Sequence, residues 1–177
     1  THQVLFYNLN GKSFANSLQI DFNVELVKHL DIRTAYKYYD IQTDYLGGRS
    51  ERPLQAKHRF FANLGSETHI TDKGKQWKFD YTWNWLGKQQ LPNTSTNPHH
   101  DRLPNFSPSF STMNAQITRT FSSTFEVYVG GENIGNYTQS KVIVGAANPF
   151  GASFDASMVY APIFGQMYYA GLRFKIK

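Results

Sequence analysis

The sequence predicts an all-β protein of about eight antiparallel strands in up-and-down order, and three observations support this prediction. Apolar and polar residues alternate with a period of two in four long runs, which places their side chains on opposite faces of a strand. Aromatic residues make up 16% of the chain although the mean hydropathy is only −0.50, so large rings are interleaved with polar residues. The connections between runs alternate between short and long, as they do when consecutive strands are neighbours in a sheet.

Eight runs of the chain are predicted strands. The four with the clearest alternation are residues 18–26, 32–39, 77–85 and 168–176. Four weaker runs complete the set: residues 4–8, 58–65, 113–121 and 125–131. No helical period of comparable length appears in the sequence.

The first two strong runs are expected to form a hairpin that turns at residues 27–31, folded about His29. This register sets four pairs of complementary side chains opposite each other: Glu25 with Arg33, Asp21 with Lys37, Phe22 with Tyr36, and Ile20 with Tyr38. Cross-strand pairs of opposite charge or of rings stabilise antiparallel sheets.

The lengths of the connections predict a transmembrane barrel. Residues 27–31, 67–75 and 122–124 are short connections, whereas residues 44–55, 88–110 and 133–165 are long loops. Outer-membrane barrels have short periplasmic turns at one end and long loops at the other. Residues 91–108 are rich in Pro, Asn, Ser and Thr, so we expect that loop to be exposed and mobile.

Large rings indicate which face of the strands meets lipid. Trp77 and Trp85 lie at opposite ends of one alternating strand, at about the separation of the two aromatic girdles of a membrane barrel. The predicted lipid-facing girdle contains Trp77, Trp83, Trp85, Tyr36, Tyr38, Tyr168 and Phe174. A soluble β-sandwich binding module with an aromatic core is the alternative, although such cores are usually built from Val, Ile and Leu.

Charged residues of both signs occupy the polar positions of the same strands. The predicted lumen-facing set is Asp21, Glu25, Arg33, Lys37, Arg59, Lys78, Asp80, Glu126, Arg173 and Lys175. Because both signs are present, mutual ion pairing is a simpler role for these residues than direct contact with a ligand.

Several function classes are excluded or disfavoured. The chain has no cysteine, which excludes disulfides, thiolate nucleophiles and Cys-ligated zinc. Its formal charge of +5 comes from scattered basic residues, which form neither the patch nor the recognition helix of a nucleic-acid-binding protein. Gly130 and Gly131 lack the third glycine of a dinucleotide site, and no nucleophile-elbow or zinc-protease motif is present. We therefore expect no cofactor and no catalysis; an extracellular barrel enzyme would require an acid/base pair in one cavity.

One pattern suggests metal binding. His99, His100 and Asp101 are consecutive in the second long loop, and imidazole and carboxylate groups bind Zn or Cu ions. Because no spaced third or fourth ligand accompanies them, an accidental grouping in a polar loop is the simpler interpretation.

The C-terminal part of the chain resembles the closing strands of TonB-dependent outer-membrane receptors, particularly a Bacteroidetes branch similar to metal and siderophore receptors. The resemblance is carried by E-V-Y-V-G-G-E-N-I-G-N-Y at residues 126–137, N-P-F-G-A-S-F-D-A-S at 148–157 and A-P-I-F-G-Q-M-Y-Y-A-G-L-R-F at 161–174. The chain has Gly165 and Gln166 where the family usually has Gly-Arg, and it ends on Lys177 instead of an aromatic residue.

The resemblance implies a receptor barrel of about 22 strands with a plugged lumen, to which residues 1–177 contribute about eight strands as the C-terminal segment without the plug. It implies active uptake of a scarce ligand, such as a metal complex or siderophore, across the outer membrane of a Gram-negative cell. The implied partners are outer-membrane lipid, the plug and N-terminal strands of the same protein, the TonB complex and the barrel-assembly machinery. A self-contained barrel of eight strands is the alternative.

Overall fold

A computed structural model describes residue 8, residues 10–45 and residues 47–176 of the chain. It contains eight β-strands: β1 (Ser13–Val27), β2 (Leu30–Tyr45), β3 (Gly48–Glu51), β4 (His58–Glu67), β5 (Gln76–Leu86), β6 (Phe110–Thr120), β7 (Phe125–Glu132) and β8 (Met167–Phe174). A single turn of 3-10 helix, His99–Asp101, is the only helix in these residues. No helix in the described residues has the length and apolar content needed to cross a bilayer.

All eight strands belong to one antiparallel sheet. Seven of them follow the order β1-β2-β4-β5-β6-β7-β8, so each pairs with its neighbour along the chain, and β3 pairs with the end of β2. The sheet is not closed; within the described residues β1 and β8 each pair on one side only. The prediction of an all-β, antiparallel, up-and-down fold is confirmed.

Seven of the eight predicted strands correspond to observed strands. The predicted strand at residues 4–8 lies outside the described residues except for residue 8. β3 was not predicted and lies inside the predicted loop 44–55. Its four residues, G-R-S-E, have no apolar alternation, and it forms because β2 extends to Tyr45 and offers backbone groups for pairing.

The predicted register of the β1–β2 hairpin is wrong by two residues. Glu25 faces Asp31 instead of Arg33, Asp21 faces Ala35 instead of Lys37, Phe22 faces Thr34 instead of Tyr36, and Ile20 faces Tyr36 instead of Tyr38. The turn consists of Lys28 and His29 alone, His29 has a φ of 71°, and a bulge interrupts the ladder between Glu25 and Val27. Turn geometry sets the register of a hairpin, and exposed ion pairs are too weak to override it.

A slip of two residues leaves every side chain on its predicted face, because strand side chains alternate with a period of two. Arg33 therefore shares a face with Glu25, and Lys37 with Asp21, as diagonal rather than direct neighbours. The polar side chain of Asp21 accepts hydrogen bonds from Gln19 Nε2 at 2.9 and 3.1 Å.

The ends of the sheet differ as predicted. The short connections, residues 28–29, 68–75 and 121–124, lie at one end, and the connections 46–57, 87–109 and 133–166 lie at the other. Hydrogen bonds between loops 87–109 and 133–166 confirm that these two long loops are at the same end. We call these two loops together the loop lobe.

The buried residues of the described chain are concentrated in and beside the loop lobe rather than under the sheet. Leu91, Val144, Met158 and Ala161 form its apolar part. The prediction that residues 91–108 form an exposed loop holds for eleven of the eighteen residues, whereas Leu91, Thr94, Asp101 and Ser107 are buried. Ser, Thr and Asp indicate a solvated loop only when their hydrogen bonds go to water; here they go to other loop residues.

Candidate functional site

The register of the sheet divides its side chains into two faces of opposite character. Directly paired residues share a face, so the pairings can be followed from β1 to β8. We call one the polar face and the other the apolar face. The polar face carries nine of the charged residues predicted to share a surface, namely Asp21, Glu25, Arg33, Lys37, Arg59, Lys78, Asp80, Glu126 and Arg173. Lys175 follows the end of β8 and lines a groove with Arg173 and Glu126.

A groove lies on the polar face, across β4, β5 and β6. Asp31, Glu67, Lys78, Asp80 and Gln116 are among its lining residues. Charges of both signs therefore line this surface, which suits a hydrated or ligand-filled space and not a packed core.

Two short hydrogen-bond networks fix side chains on the floor of this groove. Asn63 Nδ2 donates to Asp80 Oδ2 at 3.0 Å and to Thr82 Oγ1 at 2.9 Å. The Tyr169 hydroxyl donates to Gln116 Oε1 at 3.0 Å, and Gln116 Nε2 donates to Thr118 Oγ1 at 3.1 Å. These bonds link β4 to β5, and β6 to β8, across the polar face.

A basic pair lies on the polar face toward the long-loop end. Lys37 and Arg59 are directly opposite each other on β2 and β4, and both lie over the ring of Tyr39, with Lys37 Nζ at 4.8 Å and Arg59 Cζ at 5.7 Å from its centroid. Neither forms an ion pair with an acidic group of the described residues, and Arg59 Nε is buried without a hydrogen-bond partner there. Two adjacent cations without a carboxylate are a site where an anionic group would bind.

At the short-turn end, by contrast, the charges are paired. Arg173 Nη1 forms an ion pair with Glu126 Oε1 across β7 and β8. The two ends of the polar face therefore differ: a neutralised pair lies near the short turns, and the basic pair lies near the loop lobe.

Reciprocal contacts between tyrosines and glycines hold β7 and β8 together on the polar face. The ring of Tyr169 lies over Gly130, where a Cβ atom would be 2.5 Å from the tyrosine hydroxyl and 2.9 Å from the carbonyl oxygen of Ala115. The ring of Tyr128 lies in the same way over Gly171. Rings packed over strand glycines cover the exposed backbone and pin the register. Gly130 thus has a packing role.

The apolar face is uncovered. All seven residues predicted for the lipid-facing girdle lie on it: Trp77, Trp83, Trp85, Tyr36, Tyr38, Tyr168 and Phe174. At the two edges of the sheet, Phe22 on β1 is 67% exposed and Leu172 on β8 is 69% exposed. In the middle, Phe79 on β5 is 43% exposed. No second layer of the described residues packs against this face.

The base of the loop lobe is closed by Asn133, which is buried and has a φ of 49°. Its Nδ2 donates to the carbonyl oxygens of Tyr137 at 2.8 Å and Phe164 at 3.1 Å, and its Oδ1 accepts from Tyr137 N at 3.1 Å. One side chain thus joins the beginning of the loop 133–166 to its end. The Tyr137 ring stacks on Phe110 at 4.9 Å, which attaches the loop to β6.

Two buried glutamines organise the interior of the lobe. Gln139 Nε2 donates to the carbonyl oxygens of Lys141 and Met158, both at 2.7 Å, and its Oε1 accepts from Tyr160 N at 2.9 Å. Gln89 Nε2 donates to the carbonyl oxygen of Tyr160 at 2.9 Å and so joins the two long loops. Burial raises the pKa of the Tyr160 hydroxyl. These side chains replace water as hydrogen-bond partners of the loop backbone.

His99, His100 and Asp101 form the single turn of 3-10 helix, and the structure gives them different surroundings. Asp101 is buried, and its Oδ2 accepts from Ser153 Oγ at 3.0 Å. His100 Nε2 is 3.4 Å from the same oxygen, whereas the imidazoles remain exposed. No three His, Cys, Asp or Glu side chains come together as metal ligands in the part of the chain that the structure describes. Asp101 is best explained as a contact between the two long loops.

Several residues that position this surface were not singled out from the sequence. Gln89 and Gln139 resemble ordinary polar loop residues, and no local pattern indicates that they are buried. Asn133 lies in the receptor-like segment 126–137, but nothing in that pattern indicated its hydrogen bonds across the loop. Arg119 did carry a signal, because it follows Met113, Ala115 and Ile117 at a spacing of two and so lies on the apolar face.

The arrangement separates an exposed apolar surface from a charged, polar one, with the loop lobe at one end. Its side chains offer charged and hydrogen-bonding groups to a ligand, and the Tyr36 hydroxyl lies 2.6 Å from His58 Nδ1. No family model, no curated protein and no solved structure matches this chain.

Proposed function

We propose that this chain is the C-terminal part of the wall of a TonB-dependent outer-membrane receptor, with its apolar face toward lipid and its polar face toward a plugged lumen. The observation that carries the proposal is the uncovered apolar face, which extends across the seven strands β1, β2 and β4 to β8. Soluble monomers seldom expose contiguous apolar patches beyond a few hundred Å².

A soluble β-sandwich is the competing explanation of the alternation. In a sandwich a second sheet packs about 10 Å above the apolar face. The described residues form a single sheet, and their remaining chain packs into the loop lobe at its end. Lipid is the partner that covers such a face on a barrel wall without requiring a second sheet.

The dimensions of the apolar face fit a bilayer. Trp77 and Trp85 are eight residues apart on β5, which is about 27 Å along a strand at ~3.4 Å per residue. At a tilt of ~40° the vertical separation is about 21 Å, close to the ~25 Å apolar band of membrane barrels. Rings lie near both ends of β5, and smaller side chains such as Ala62, Ala115 and Ala170 lie on the same face of other strands.

The open edges support a larger barrel. β1 has 15 residues and presents one unpaired edge within the described residues, and β8 does so at the other side of the sheet. Long exposed edges invite pairing with further strands. In the proposal those strands, the plug and the TonB-contacting segment belong to other parts of the same protein, and the barrel-assembly machinery inserts the whole into the outer membrane of a Gram-negative cell.

The polar face provides the interior of the proposed receptor. Within the described part of the lumen-facing set, Glu126 and Arg173 form the one ion pair, and in the proposal the remaining basic residues meet carboxylates of the plug. Lys37 and Arg59 lie near the lobe end, where they would meet the plug or an anionic group of the transported ligand. The protein is then not an enzyme; it takes up a scarce ligand such as a metal complex or siderophore.

Site-directed spin labelling tests which face meets lipid, and the absence of cysteine from the chain makes each introduced label unique within it. Ala62 and Ala35 lie on adjacent strands within one residue of the same level and on opposite faces. In lipid vesicles, a label at Ala62→Cys should collide mainly with dissolved oxygen, and a label at Ala35→Cys mainly with a water-soluble nickel complex. Equal access of the nickel complex to both labels would refute the membrane assignment.

Uptake tests the receptor assignment separately. Cells that lack the gene containing this chain should lose energy-dependent accumulation of a metal complex under metal limitation, and the gene should restore it. Restoration should fail when the proton gradient is collapsed, because TonB transmits that energy. Accumulation that is unaffected by the gene for every metal complex tested would contradict the receptor assignment while leaving the membrane wall intact.

A further inference from the structure

We propose that Arg119 and the apolar groove beside it form a binding site for an anionic glycerophospholipid, with the lipid phosphate on the guanidinium and an acyl chain in the groove. This proposal rests on the proposed membrane location of the apolar face. It assigns a specific ligand to one position on that face.

Arg119 is an exception on its surface. On strands β4 to β8, all of whose residues the structure describes, it is the only Lys, Arg, Asp or Glu among the paired positions of the apolar face. It lies directly opposite Trp77 on β5 and Val127 on β7. A charged group in such surroundings requires a reason, because it must be solvated or paired.

The guanidinium is held by rings and not by acids. Its Cζ lies 4.8 Å from the ring centroid of Trp77 and 5.8 Å from that of Phe121. Within the described residues its side chain forms no ion pair and no hydrogen bond. A guanidinium stacked on a ring keeps the N–H donors of its edge available, and that planar edge matches the oxygens of a phosphate.

A shallow apolar groove begins at Arg119. It is lined by Trp77, Ile117, Phe121, Val127, Val129 and Ala170, and nearly all of its surface is apolar. A cation at one end of an apolar groove is complementary to an amphiphile that carries a negative charge at one end. A free anion would contact the guanidinium and leave the apolar groove empty.

The position of Arg119 and its groove along the strand favours a lipid as the ligand. Arg119 is one residue from the end of β6, beside the short turn 121–124, which lies at the headgroup level in the proposed orientation. An ammonium headgroup would find no carboxylate on the apolar face of β4 to β8, so a headgroup with net negative charge is favoured. Phosphatidylglycerol is a suitable probe with this chemistry.

Native mass spectrometry of the complete protein that contains this chain tests the site. The delipidated protein in detergent is titrated with phosphatidylglycerol, glycerol 3-phosphate or inorganic phosphate, and Arg119→Gln is compared with Arg173→Gln, which removes a guanidinium from the polar face. We expect Arg119→Gln to bind the first phosphatidylglycerol about tenfold more weakly, the usual scale for a charge-assisted contact. Arg173→Gln should bind it as the wild type does.

A second variant, Ala170→Phe, fills the groove without changing Arg119 and should also weaken the binding of phosphatidylglycerol. Equal binding by the wild type and Arg119→Gln would overturn the proposal, as would unchanged binding by Ala170→Phe. Glycerol 3-phosphate or inorganic phosphate that binds as tightly as the lipid would show an anion site without a lipid role, which also overturns it. If the labels at Ala35 and Ala62 separate lipid from water while these tests fail, only this site is refuted and not the membrane wall.

Discussion

The sheet and the loop lobe are stabilised in opposite ways. The sheet has a continuous hydrogen-bonded ladder and two contrasting faces, but it buries few of its large apolar side chains. The lobe has little regular structure, yet it contains most of the buried residues, and its backbone is satisfied by Asn133, Gln89 and Gln139.

This difference indicates where each region obtains its stability. Between its two open edges the backbone of the sheet is satisfied by the ladder, and the free energy of its apolar face depends on what surrounds it. The lobe carries its own core and should be less sensitive to its surroundings. The two regions should therefore respond to different substitutions.

The largest effect is expected from a charge on the apolar face. Ala62→Arg places a guanidinium near the middle of β4, where a lipid-facing arginine costs about 2–4 kcal/mol. Ala35→Arg introduces the same side chain on the polar face, directly opposite Asp21, and should change stability by less than about 1 kcal/mol. Denaturant unfolding in lipid vesicles, followed by tryptophan fluorescence, measures both. Equal losses would show that the two faces do not differ in their surroundings.

The lobe should open when Asn133 is replaced. Asn133→Ala leaves backbone groups of Tyr137 and Phe164 without their side-chain partner and forces a Cβ-bearing apolar residue to a φ of 49°, so a loss of about 2 kcal/mol is expected. Hydrogen exchange should accelerate at Gln139 and Phe154 and stay slow in β5. Asn133→Gly, which tolerates the positive φ, separates strain from lost hydrogen bonds. Asn105→Ala, at an exposed position in the other loop, is the control. Faster hydrogen exchange throughout β5 in Asn133→Ala would show that the sheet and the lobe unfold together.

A smaller effect is expected at the contact between Tyr169 and Gly130. Gly130→Ala places a Cβ atom 2.9 Å from the carbonyl oxygen of Ala115, so the β6–β7 ladder must shift, at about 1–3 kcal/mol. Gly65→Ala is the matched control, because its Cβ atom would lie 4.0 Å from that of Asp31; it should be neutral or stabilise by up to about 1 kcal/mol. Denaturant midpoints that are the same for both variants would contradict the packing role of Gly130.

The smallest effect concerns alkaline pH and the lobe end of the protein. Burial raises the pKa of Tyr160, and the hydrogen bond to Glu51 raises that of Lys57. A group whose pKa is higher in the folded state stabilises that state at pH values below its ordinary pKa. This contribution is lost as the pH rises through the pKa of the folded state. Both groups should therefore weaken the lobe end only above about pH 10. Subtracting the absorbance titration of Tyr160→Phe from that of the wild type isolates the titration of Tyr160. A pKa at or below the ordinary tyrosine value would contradict the expected upward shift.

What the sequence predicts well is what local geometry determines. Alternation with a period of two assigns Trp77, Trp85 and Lys78 to their faces without knowledge of their neighbours. The register of the first hairpin depends on a bulge beside Leu26 and on a positive φ at His29, neither of which follows from side-chain complementarity. The role of Asn133 depends on a partner 31 residues away, Phe164. A loop glutamine such as Gln139 looks the same in sequence whether it meets water or the loop backbone.

The up-and-down order of the sheet also has a consequence for the time course of folding. Two residues separate β1 from β2, whereas 34 residues, 133–166, separate β7 from β8. Loop-closure entropy grows by about 0.6 kcal/mol for each doubling of length, so closing the longer loop is disfavoured by about 2.5 kcal/mol relative to the two-residue turn. The hairpin β1–β2 can therefore nucleate within microseconds, and β8 should join β7 late. The edge at β8 would then be the last to become available to a neighbouring strand.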